Sequence, residues 1–263
     1  MERAAGWASA IVPGRRVGHA IEVHERIGST NDRARALLAV PGGPGTAVVA
    51  EEQVAGRGRR GRTWASPPGV NLYVSVGILP RLAARDAWQL GLAVALAARD
   101  ACLPVASVEL KWPNDLVAPD GRKLGGILVE TAVDGERLDS AVVGIGINAN
   151  WIVAAMPAEL RATATSLRDL AGTTVDRVAL LGRLLASLDA ELVGLEAGES
   201  PLVRYRAACS TLGADVSVAT AGSTVVGRAV DLDASGALVV DTAEGPMTIR
   251  SGEVTRLRPA VPA

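Results

Sequence analysis

Lys123-Leu-Gly-Gly-Ile-Leu-Val-Glu130 has the composition of a β-strand and lies between two turn signals, Asp120-Gly121 and Asp134-Gly135. A similar apolar run over residues 108–117 precedes it, and another over residues 141–148 follows it. Asp-Gly between two such runs is a strong signal for a β-hairpin. The three runs therefore predict successive hairpins in a mixed or mainly antiparallel sheet. The glycine pair inside the quoted stretch predicts the close approach of another backbone or a ligand.

Helical patterns on both sides of these hairpins supply layers that can cover the sheet. Residues 83–103 are rich in alanine and apolar on most of the helix circumference, and residues 174–195 are amphipathic. The polar run Gly28-Ser-Thr-Asn-Asp32 precedes a shorter helical pattern over residues 33–39, and its side chains are N-cap candidates. A sheet with helices packed on it predicts an α+β fold. Residues 151–161 are apolar without a clear period and predict a mobile loop.

The pattern of the chain changes at about residue 211. Short runs of β-type residues recur about every 8–12 residues, and turn signals such as Ala234-Ser-Gly236 and Glu244-Gly-Pro246 separate them. This pattern predicts a small all-β unit of about five strands, a compact barrel. The chain is thus predicted to divide into a larger domain over residues 1–209 and a β domain over residues 210–263.

The overall charge opposes a nucleic-acid-binding function. The 263 residues carry a formal net charge of -1, whereas nucleic-acid-binding domains usually have an excess of basic residues. Aromatic residues make up 3% of the chain, which leaves few side chains for stacking on single strands. Residues 1–20 could form one helical turn and are too short for a helix-turn-helix module. We therefore expect no nucleic-acid partner.

The composition also indicates the compartment. Cys102 and Cys209 lack the C-x-x-C spacing of metal and redox sites, and so few cysteines fit a reducing environment. The N-terminal sequence Met1-Glu-Arg-Ala-Ala-Gly-Trp7 is neither basic nor followed by a long apolar region, so it does not resemble a signal peptide. No run of about 18 apolar residues suggests a membrane span. We expect a cytoplasmic protein that does not enter a membrane.

Gly56-Arg-Gly-Arg-Arg-Gly-Arg62, the arginine-glycine loop, contains four arginines and three glycines, and Thr63-Trp64 follows it. Glycine costs about 1 kcal/mol relative to alanine in a helix interior, and nothing in this run can pack in a strand. The run therefore predicts a loop that can close over an anion, with a solvated charged turn as the alternative. A dinucleotide-binding G-x-G-x-x-G motif is excluded, because Thr63-Trp-Ala-Ser-Pro-Pro-Gly69 cannot open the helix that this motif requires.

Several motifs in a fixed order carry a family resemblance. From about residue 21 onward the chain resembles biotin protein ligases, in the short class whose members lack an N-terminal DNA-binding domain. The resemblance implies a class II synthetase-like catalytic domain over residues 1–209 and an SH3-like β-barrel after it. The matching features are the arginine-glycine loop with Trp64, Lys111-Trp-Pro-Asn-Asp115, the stretch from Lys123 to Glu130, Gly144-Ile-Gly-Ile-Asn148, Ser29-Thr30-Asn31 and the C-terminal β unit.

The resemblance implies a reaction in two steps. Biotin and ATP give biotinyl-5'-AMP and pyrophosphate, and a lysine amine of a biotin carboxyl carrier domain of an acyl-CoA carboxylase then attacks the mixed anhydride. No covalent enzyme nucleophile is needed, which agrees with the position of His19 and His24 outside every motif. ATP chemistry implies Mg²⁺, whose protein ligands cannot be predicted, because the ion often keeps waters and phosphates around it. We expect a monomer or a weak homodimer.

The resemblance also assigns site residues by matched position. Lys123 is expected to bridge the biotin carboxylate and the α-phosphate, while Arg57 and Arg59 contact the acyl-phosphate, so that fixed positive charge meets developing negative charge. Asp115 is a candidate to take a proton from the carrier lysine. The residues expected at biotin are Ser29, Thr30, Asn31, Gln53, Gly56, Arg57, Arg59, Lys123 and Gly125, and those expected at the nucleotide are Arg59, Trp64, Lys111, Asn114, Asp115, Lys123 and Asn148.

Other interpretations stay open. A lipoate or octanoate ligase shares this catalytic architecture, although the complete arginine-glycine loop and the C-terminal β unit favour biotin. A nucleic-acid-binding regulator would use the arginines as phosphate contacts, against the near-zero net charge. Arg60 and Arg62 are expected mainly to steer the ligand or to order the loop. Trp64 could instead be a core aromatic residue, and Asn114 and Asp115 could be turn formers.

Overall fold

The computed structural model describes residues 6–12 and 14–257. Several expectations concern residues that lie outside this range: the N-terminal residues 1–5, Pro13, and residues 258–263 at the end of the predicted β domain. Within the described residues, both the mixed sheet and the small C-terminal β unit are present, and the predicted α+β fold is confirmed.

Seven strands form the main sheet. The two strands before and after the first helix, β1 and β2, are parallel, and the remaining pairs are antiparallel, which gives the order β1-β2-β3-β7-β6-β5-β4. The Asp134-Gly135 turn joins two long strands, as the hairpin signal predicted. The strands are β1 (Ile21–Ile27), β2 (Ala47–Gln53), β3 (Leu72–Ile78), β4 (Glu109–Lys111), β5 (Asp115–Val117), β6 (Lys123–Asp134) and β7 (Arg137–Ile147).

Helices cover both faces of this sheet. Two long helices, α2 and α5, pack against each other and against the strands to form the main core. The first helix, α1, lies on the opposite face, where Ala34 and Leu37 contact Val48 and Val142. Because side chains alternate along a strand, β2 sends Val48 to this face and Val49 to the main core. The helices are α1 (Thr30–Leu37), α2 (Trp88–Cys102), α3 (Ala158–Arg161), α4 (Leu167–Ala171), α5 (Arg177–Glu196) and α6 (Leu202–Ala208).

Two helices start at positions that differ from the sequence prediction. The helix predicted to begin at residue 83 begins at Trp88, after a separate 3₁₀ turn over Ala84–Asp86. The first helix begins at Thr30 rather than after Asp32, so Thr30 belongs to its first turn. Ser29 occupies the N-cap position without a capping hydrogen bond from its side chain. The Thr30 N–H instead donates to Gln53 Oε1 at 2.9 Å, which ties the start of α1 to the end of β2.

The segment predicted to be a mobile loop, residues 151–161, has regular structure. It contains a 3₁₀ turn over Val153–Ala155 and the short helix α3, and it continues into an added pairing with the sheet. The Lys123 N–H donates to Thr163 O at 2.7 Å, and the Thr165 N–H donates to Lys123 O at 2.9 Å. These tertiary contacts, which a local sequence pattern does not record, hold the segment beside the start of β6.

The C-terminal unit is an antiparallel sheet with the order β11-β10-β9-β8-β12, which confirms the five predicted strands. Trp112 joins it to the rest of the chain, since its backbone N–H donates to Thr211 Oγ1 at 3.0 Å and its indole N–H to Gly236 O at 3.1 Å. The boundary at residues 209 and 210 stays a prediction. Among the described residues, no helix combines the length and the apolar character that crossing a membrane requires. The strands are β8 (Asp215–Ala219), β9 (Thr224–Leu232), β10 (Leu238–Thr242), β11 (Gly245–Ile249) and β12 (Glu253–Arg256).

Candidate active site

A cavity of about 320 Å³ lies where the start of α1, the end of β2 and the arginine-glycine loop meet strands β5, β6 and β7. Residues 151–164 supply an apolar wall through Met156 and Leu160. The C-terminal sheet closes another side with Gly252, Glu253 and Val254. Both sheets therefore contribute residues to one cavity.

One end of the cavity is a buried network of neutral polar side chains. Thr30 Oγ1 donates to Gln53 Oε1 at 3.0 Å and lies 2.7 Å from Ser75 Oγ, which donates to Asn31 Oδ1 at 2.6 Å. Thr30, Ser75 and Asn31 are each at most 5% exposed. The two hydroxyl protons are used within these three oxygen–oxygen contacts, and lone pairs remain on the oxygens, so an N–H donor on a ligand can donate to one of them. This end suits a neutral ligand group with N–H donors.

Glycine is required beneath this network. A Cβ atom at Gly144 would lie 2.1 Å from Asn31 Oδ1, far closer than any real contact. The Asn31 amide is fixed on its other side, because its Nδ2 donates to Glu130 Oε2 at 2.6 Å. The absence of a side chain at Gly144 in β7 therefore leaves room for Asn31. Asn31 in turn orients the hydroxyl of Ser75.

The other end of the cavity gathers positive charge. Lys123 Nζ lies 2.7 Å from Asp115 Oδ1 and 5.4 Å from the centroid of the Trp64 ring, within the range of a cation–π contact. Lys111 lines the same end; burial lowers the pKa of its ammonium group, and the nearby Asp115 opposes this shift. An anion that entered here would meet cations in a partly dry environment, where their attraction is stronger than in water.

The indole of Trp64 lies against two glycines of the central hairpin. A Cβ at Gly146 would be 2.6 Å from Trp64 Nε1, and one at Gly126 would be 3.2 Å from the ring. The indole Nε1 is buried and has no hydrogen-bond partner within the described part of the chain. The glycines of β6 and β7 therefore leave space for the Trp64 indole, and Trp64 lines the cavity.

The arginine-glycine loop lies over the cavity mouth. Its backbone closes a short ladder, in which the Gly58 N–H donates to Arg62 O at 2.6 Å and the Trp64 N–H donates to Gly56 O at 2.9 Å. Both terminal nitrogens of Arg57 donate hydrogen bonds to the carboxylate of Asp32 on α1, Nη1 to Oδ2 at 2.9 Å and Nη2 to Oδ1 at 2.5 Å. The predicted loop is thus an ordered hairpin held against helix α1.

The remaining arginines tie the loop to other parts of the cavity. Arg59 donates to Asn114 Oδ1 at 3.2 Å, and burial, followed by repulsion from Arg60, lowers the pKa of its guanidinium. Three further hydrogen bonds connect the loop to the C-terminal sheet and its loops. Arg59 donates to Ser251 Oγ at 3.3 Å, Arg60 to Ala219 O at 3.3 Å, and Arg62 to Glu253 Oε1 at 2.6 Å.

Comparison with known proteins agrees with this arrangement. The model described as "Biotin/lipoate A/B protein ligase family" matches residues 23–148, and "Biotin protein ligase C terminal domain" matches residues 211–256. The chain is 36% identical over 249 residues to the biotin–[acetyl-CoA-carboxylase] ligase of Mycobacterium tuberculosis, which covers 90% of this chain and 89% of that protein. The chain belongs to the biotin protein ligase family.

Two further relatives support this family membership. The biotin–[acetyl-CoA-carboxylase] ligase of Paracoccus denitrificans is 35% identical over 237 residues, covering 87% of this chain and 97% of that protein. The biotin protein ligase of Aquifex aeolicus, solved in complex with biotin and ATP, superposes with a TM-score of 0.75 and 30% identity over 91% of this chain and 99% of that one. The resemblance read from the motifs is therefore confirmed at the level of the family.

Most residues assigned from the family motifs lie around the cavity, but two glycines do not. A Cβ at Gly56 would lie 2.7 Å from Trp64 O, and one at Gly125 would lie 2.7 Å from Gly146 O. Both glycines therefore allow close packing behind the cavity wall, and their assignment to biotin stays a prediction. The residues that do line the cavity are Ser29, Thr30, Asn31, Gln53, Arg57, Arg59, Trp64, Lys111, Asn114, Asp115, Lys123 and Asn148.

Sequence reasoning missed several residues of the site. Ser75 is a polar residue within the buried apolar strand β3, and this departure from the strand pattern could have revealed it. Asp32 and Glu130, which bind Arg57 and Asn31, give no such signal, because charged residues are common at helix starts and strand ends. The contribution of residues 252–254 depends on how the two sheets pack and could not be read locally.

Proposed function

We propose that this protein activates biotin with ATP to give biotinyl-5'-AMP, and then transfers biotin to a lysine of a biotin carboxyl carrier domain of an acyl-CoA carboxylase. The observation that carries the proposal is the division of one cavity into a neutral hydrogen-bonding end and a cationic end. Biotin has the same division, with a cyclic urea at one end and a carboxylate at the other. The names of the relatives support the same substrate and acceptor.

The neutral end suits the urea group. The network of Thr30, Ser75 and Asn31 offers oxygen lone pairs that can accept from a urea N–H, while the Ser29 side chain at the same end can donate to the urea oxygen. A buried polar site of this kind rejects ligands that lack the matching groups, because its own polar atoms would then stay unpaired. Lipoate and octanoate, which have no N–H at this end, should bind poorly.

The cationic end suits the first chemical step. The biotin carboxylate oxygen forms a bond to the α-phosphorus of ATP, and the bond from that phosphorus to pyrophosphate breaks. Two anions must approach each other, so fixed cations that meet the developing charge lower the barrier. In this proposal Lys123 gives up its contact with Asp115 and binds the biotin carboxylate and the α-phosphate instead. Arg57 and Arg59 contact the acyl-phosphate from the loop.

The second step uses the same residues. The carrier amine attacks the acyl carbon, AMP leaves, and Asp115, freed from Lys123, takes the proton that the amine loses. Mg²⁺ enters as the ion bound to the phosphates of ATP. The described residues contain no group of three His, Cys, Asp or Glu side chains that could hold it as a resident ion.

We also propose that the protein is not a DNA-binding repressor and that it acts in the cytoplasm as a monomer or weak homodimer. The formal net charge of -1 supports the first part, because binding to nucleic acid depends largely on phosphate contacts from basic residues. The loop arginines are also engaged by Asp32, Asn114 and the C-terminal sheet, which leaves a smaller basic surface for phosphates.

The test is pyrophosphate release from ATP and Mg²⁺ with biotin, lipoate or octanoate as the only acid, with the adenylate identified by mass. We expect release with biotin, and transfer of label to a purified carrier domain added afterwards. Release with lipoate or octanoate alone would overturn the assignment of the neutral end. The absence of pyrophosphate release with all three acids, together with tight DNA binding at physiological salt, would overturn the ligase proposal.

Gly144→Ala is expected to weaken biotin binding by about 5- to 150-fold, because the loss of one or two buried hydrogen bonds costs roughly 1–3 kcal/mol. The new methyl group would displace Asn31 and break its contact with Ser75. Calorimetric titration with biotin measures the effect. Gly91→Ala is the matched control, since a Cβ at Gly91 in helix α2 meets no atom within 4 Å. Equal affinities for biotin in the two variants would contradict the role of Asn31.

A further inference from the structure

A row of buried hydrogen bonds lies behind the cavity wall, between the start of β3 and the end of β7. Asn71 directly precedes β3 and Asn148 directly follows β7. Because Leu72 pairs with Ile147, the two asparagines lie opposite each other at the ends of these antiparallel strands. Asn71 Nδ2 donates to Asn148 Oδ1 at 3.4 Å. Asn148 is 5% exposed and lines the cavity, whereas Asn71 is fully buried behind it.

Backbone groups at the two ends of this row determine the direction of both side-chain amides. The Ala149 N–H, which can only donate, donates to Asn71 Oδ1 at 3.0 Å and thus turns Asn71 Nδ2 towards Asn148. The Thr165 carbonyl, which can only accept, accepts from Asn148 Nδ2 at 3.0 Å and leaves Asn148 Oδ1 facing Asn71. Turning either amide over would bring two donors or two acceptors together in a buried place, which is costly.

A second set of contacts holds the backbone of Asn71. Arg177 Nη1 donates to Asn71 O at 2.9 Å and to Glu51 Oε2 at 2.8 Å. The indole N–H of Trp7 donates to Glu51 Oε1 at 3.2 Å, and both Glu51 and Trp7 are buried. The position of Asn71 therefore does not depend on its own side chain alone, and that side chain can be changed while these backbone contacts remain.

We propose that Asn71 is a positioning residue that sets the direction of the Asn148 amide in the cavity wall. Asn148 keeps hydrogen-bonding capacity for a ligand, since Oδ1 has a second lone pair and Nδ2 has a second proton. With the amide fixed, this donor and this acceptor are available in one arrangement instead of two, which reduces what ligand binding must order. The value of this arrangement for the reaction rests on the proposed function, in which Asn148 contacts the nucleotide.

Asn71→Asp separates this role from a purely structural one. The substitution keeps the shape of the side chain and the oxygen that accepts from Ala149, but it replaces the donor that faces Asn148 with a second oxygen. We expect the KM for ATP to rise by about 5- to 150-fold, the range for loss of a buried hydrogen bond, with little change in kcat. The Kd for biotin, which is assigned to the other end of the cavity, should change by less than about twofold.

Asn150→Asp is the matched control. The side chain of Asn150 makes the same two kinds of hydrogen bond two residues further along, because its Oδ1 accepts from the Val175 N–H at 2.8 Å and its Nδ2 donates to Val175 O at 2.9 Å. Asn150 does not line the cavity. The control therefore carries the same chemical change and a comparable loss of stability, and its KM for ATP should stay within about twofold of wild type.

An Asn148→Ala background shows whether Asn71 acts through Asn148. In that background Asn71→Asp should cause no further rise in the KM for ATP, because the group that it positions is absent. Asn71→Ala, which removes the donor without adding a charge, is measured in both backgrounds as well, so that the comparison stands if Asn71→Asp does not fold. A wild-type KM in the Asn71 variants, an equal rise in Asn150→Asp, or an undiminished effect in the Asn148→Ala background would each overturn the proposal. Absence of pyrophosphate release by the wild type would instead count against the proposed function, so the two failures are distinguishable.

Discussion

Lys123→Ala is expected to reduce biotin-dependent pyrophosphate release by at least about 10²–10³-fold, the usual effect of removing one group that stabilises developing charge. Lys123 Nζ is placed between Asp115 and the ring of Trp64, at the end of the cavity where carboxylate and phosphate must meet. Its removal leaves the carboxylate of Asp115 without its partner, so the site would repel the acid as well as lose a cation. Pyrophosphate release under saturating ATP and biotin is the measurement.

Arg122→Ala provides the control for this prediction. Arg122 is the residue before Lys123 in the chain and carries the same charge, but it pairs with Asp120 in the hairpin turn and does not line the cavity. Its removal changes the net charge by the same amount and should leave the rate within about twofold, as is usual for an exposed ion pair. Near-normal pyrophosphate release by Lys123→Ala would remove Lys123 from the role assigned to it.

Arg57→Gly is expected to form biotinyl-5'-AMP but to retain it poorly, so that free intermediate escapes and labels lysines of bystander proteins at least about tenfold faster than wild type. The substitution removes both the contact proposed for the acyl-phosphate and the anchor to Asp32. The loop would then lose its connection to α1, and the cavity mouth would open to water. Labelling of added albumin, with excess carrier domain absent, reports the escape.

Arg60→Gly is the matched control for loop composition. It removes an equal charge and adds an equal glycine, and Arg60 already has a φ of 57°, a backbone conformation that glycine adopts readily. Arg60 reaches Ala219 O on the C-terminal side instead of the α1 side. We expect bystander labelling close to wild type. If Arg57→Gly kept the intermediate as well as Arg60→Gly does, the closing role of Arg57 would be contradicted.

Much of the fold could be predicted because its signals are local. The Asp134-Gly135 turn signal predicted the central hairpin. The turn signals between short runs of β-type residues predicted the strands of the C-terminal sheet. The start of α1 was predicted less well, because Thr30 and Asn31 are poor helix formers that nonetheless sit within the first turn. Their side chains bond to Ser75, Gln53 and Glu130, and these tertiary contacts outweigh local preference.

The candidate site, like the fold, was predictable where its signals are local and not where they depend on tertiary contacts. Its cations were visible because a cluster of arginine and glycine has few structural explanations, and the motifs that carry Lys123 and Asp115 are specific. The residues that orient these groups were not visible. Asp32 looks like any acidic residue near a helix start, and its contact with Arg57 depends on where the loop crosses α1. Partners of this kind are fixed by the packing of distant segments, which one sequence does not record.

The span of the cavity along the chain has a consequence for synthesis on the ribosome. Its wall begins at Ser29 and is completed by Val254, more than 200 residues later in the sequence. A nascent chain that extends only to residue 148 contains every site motif but lacks the C-terminal residues 252–254 that close one side of the cavity. The complete cavity can therefore form, and a ligand that needs all of its walls can stabilise the fold, only after residue 254 has left the ribosome.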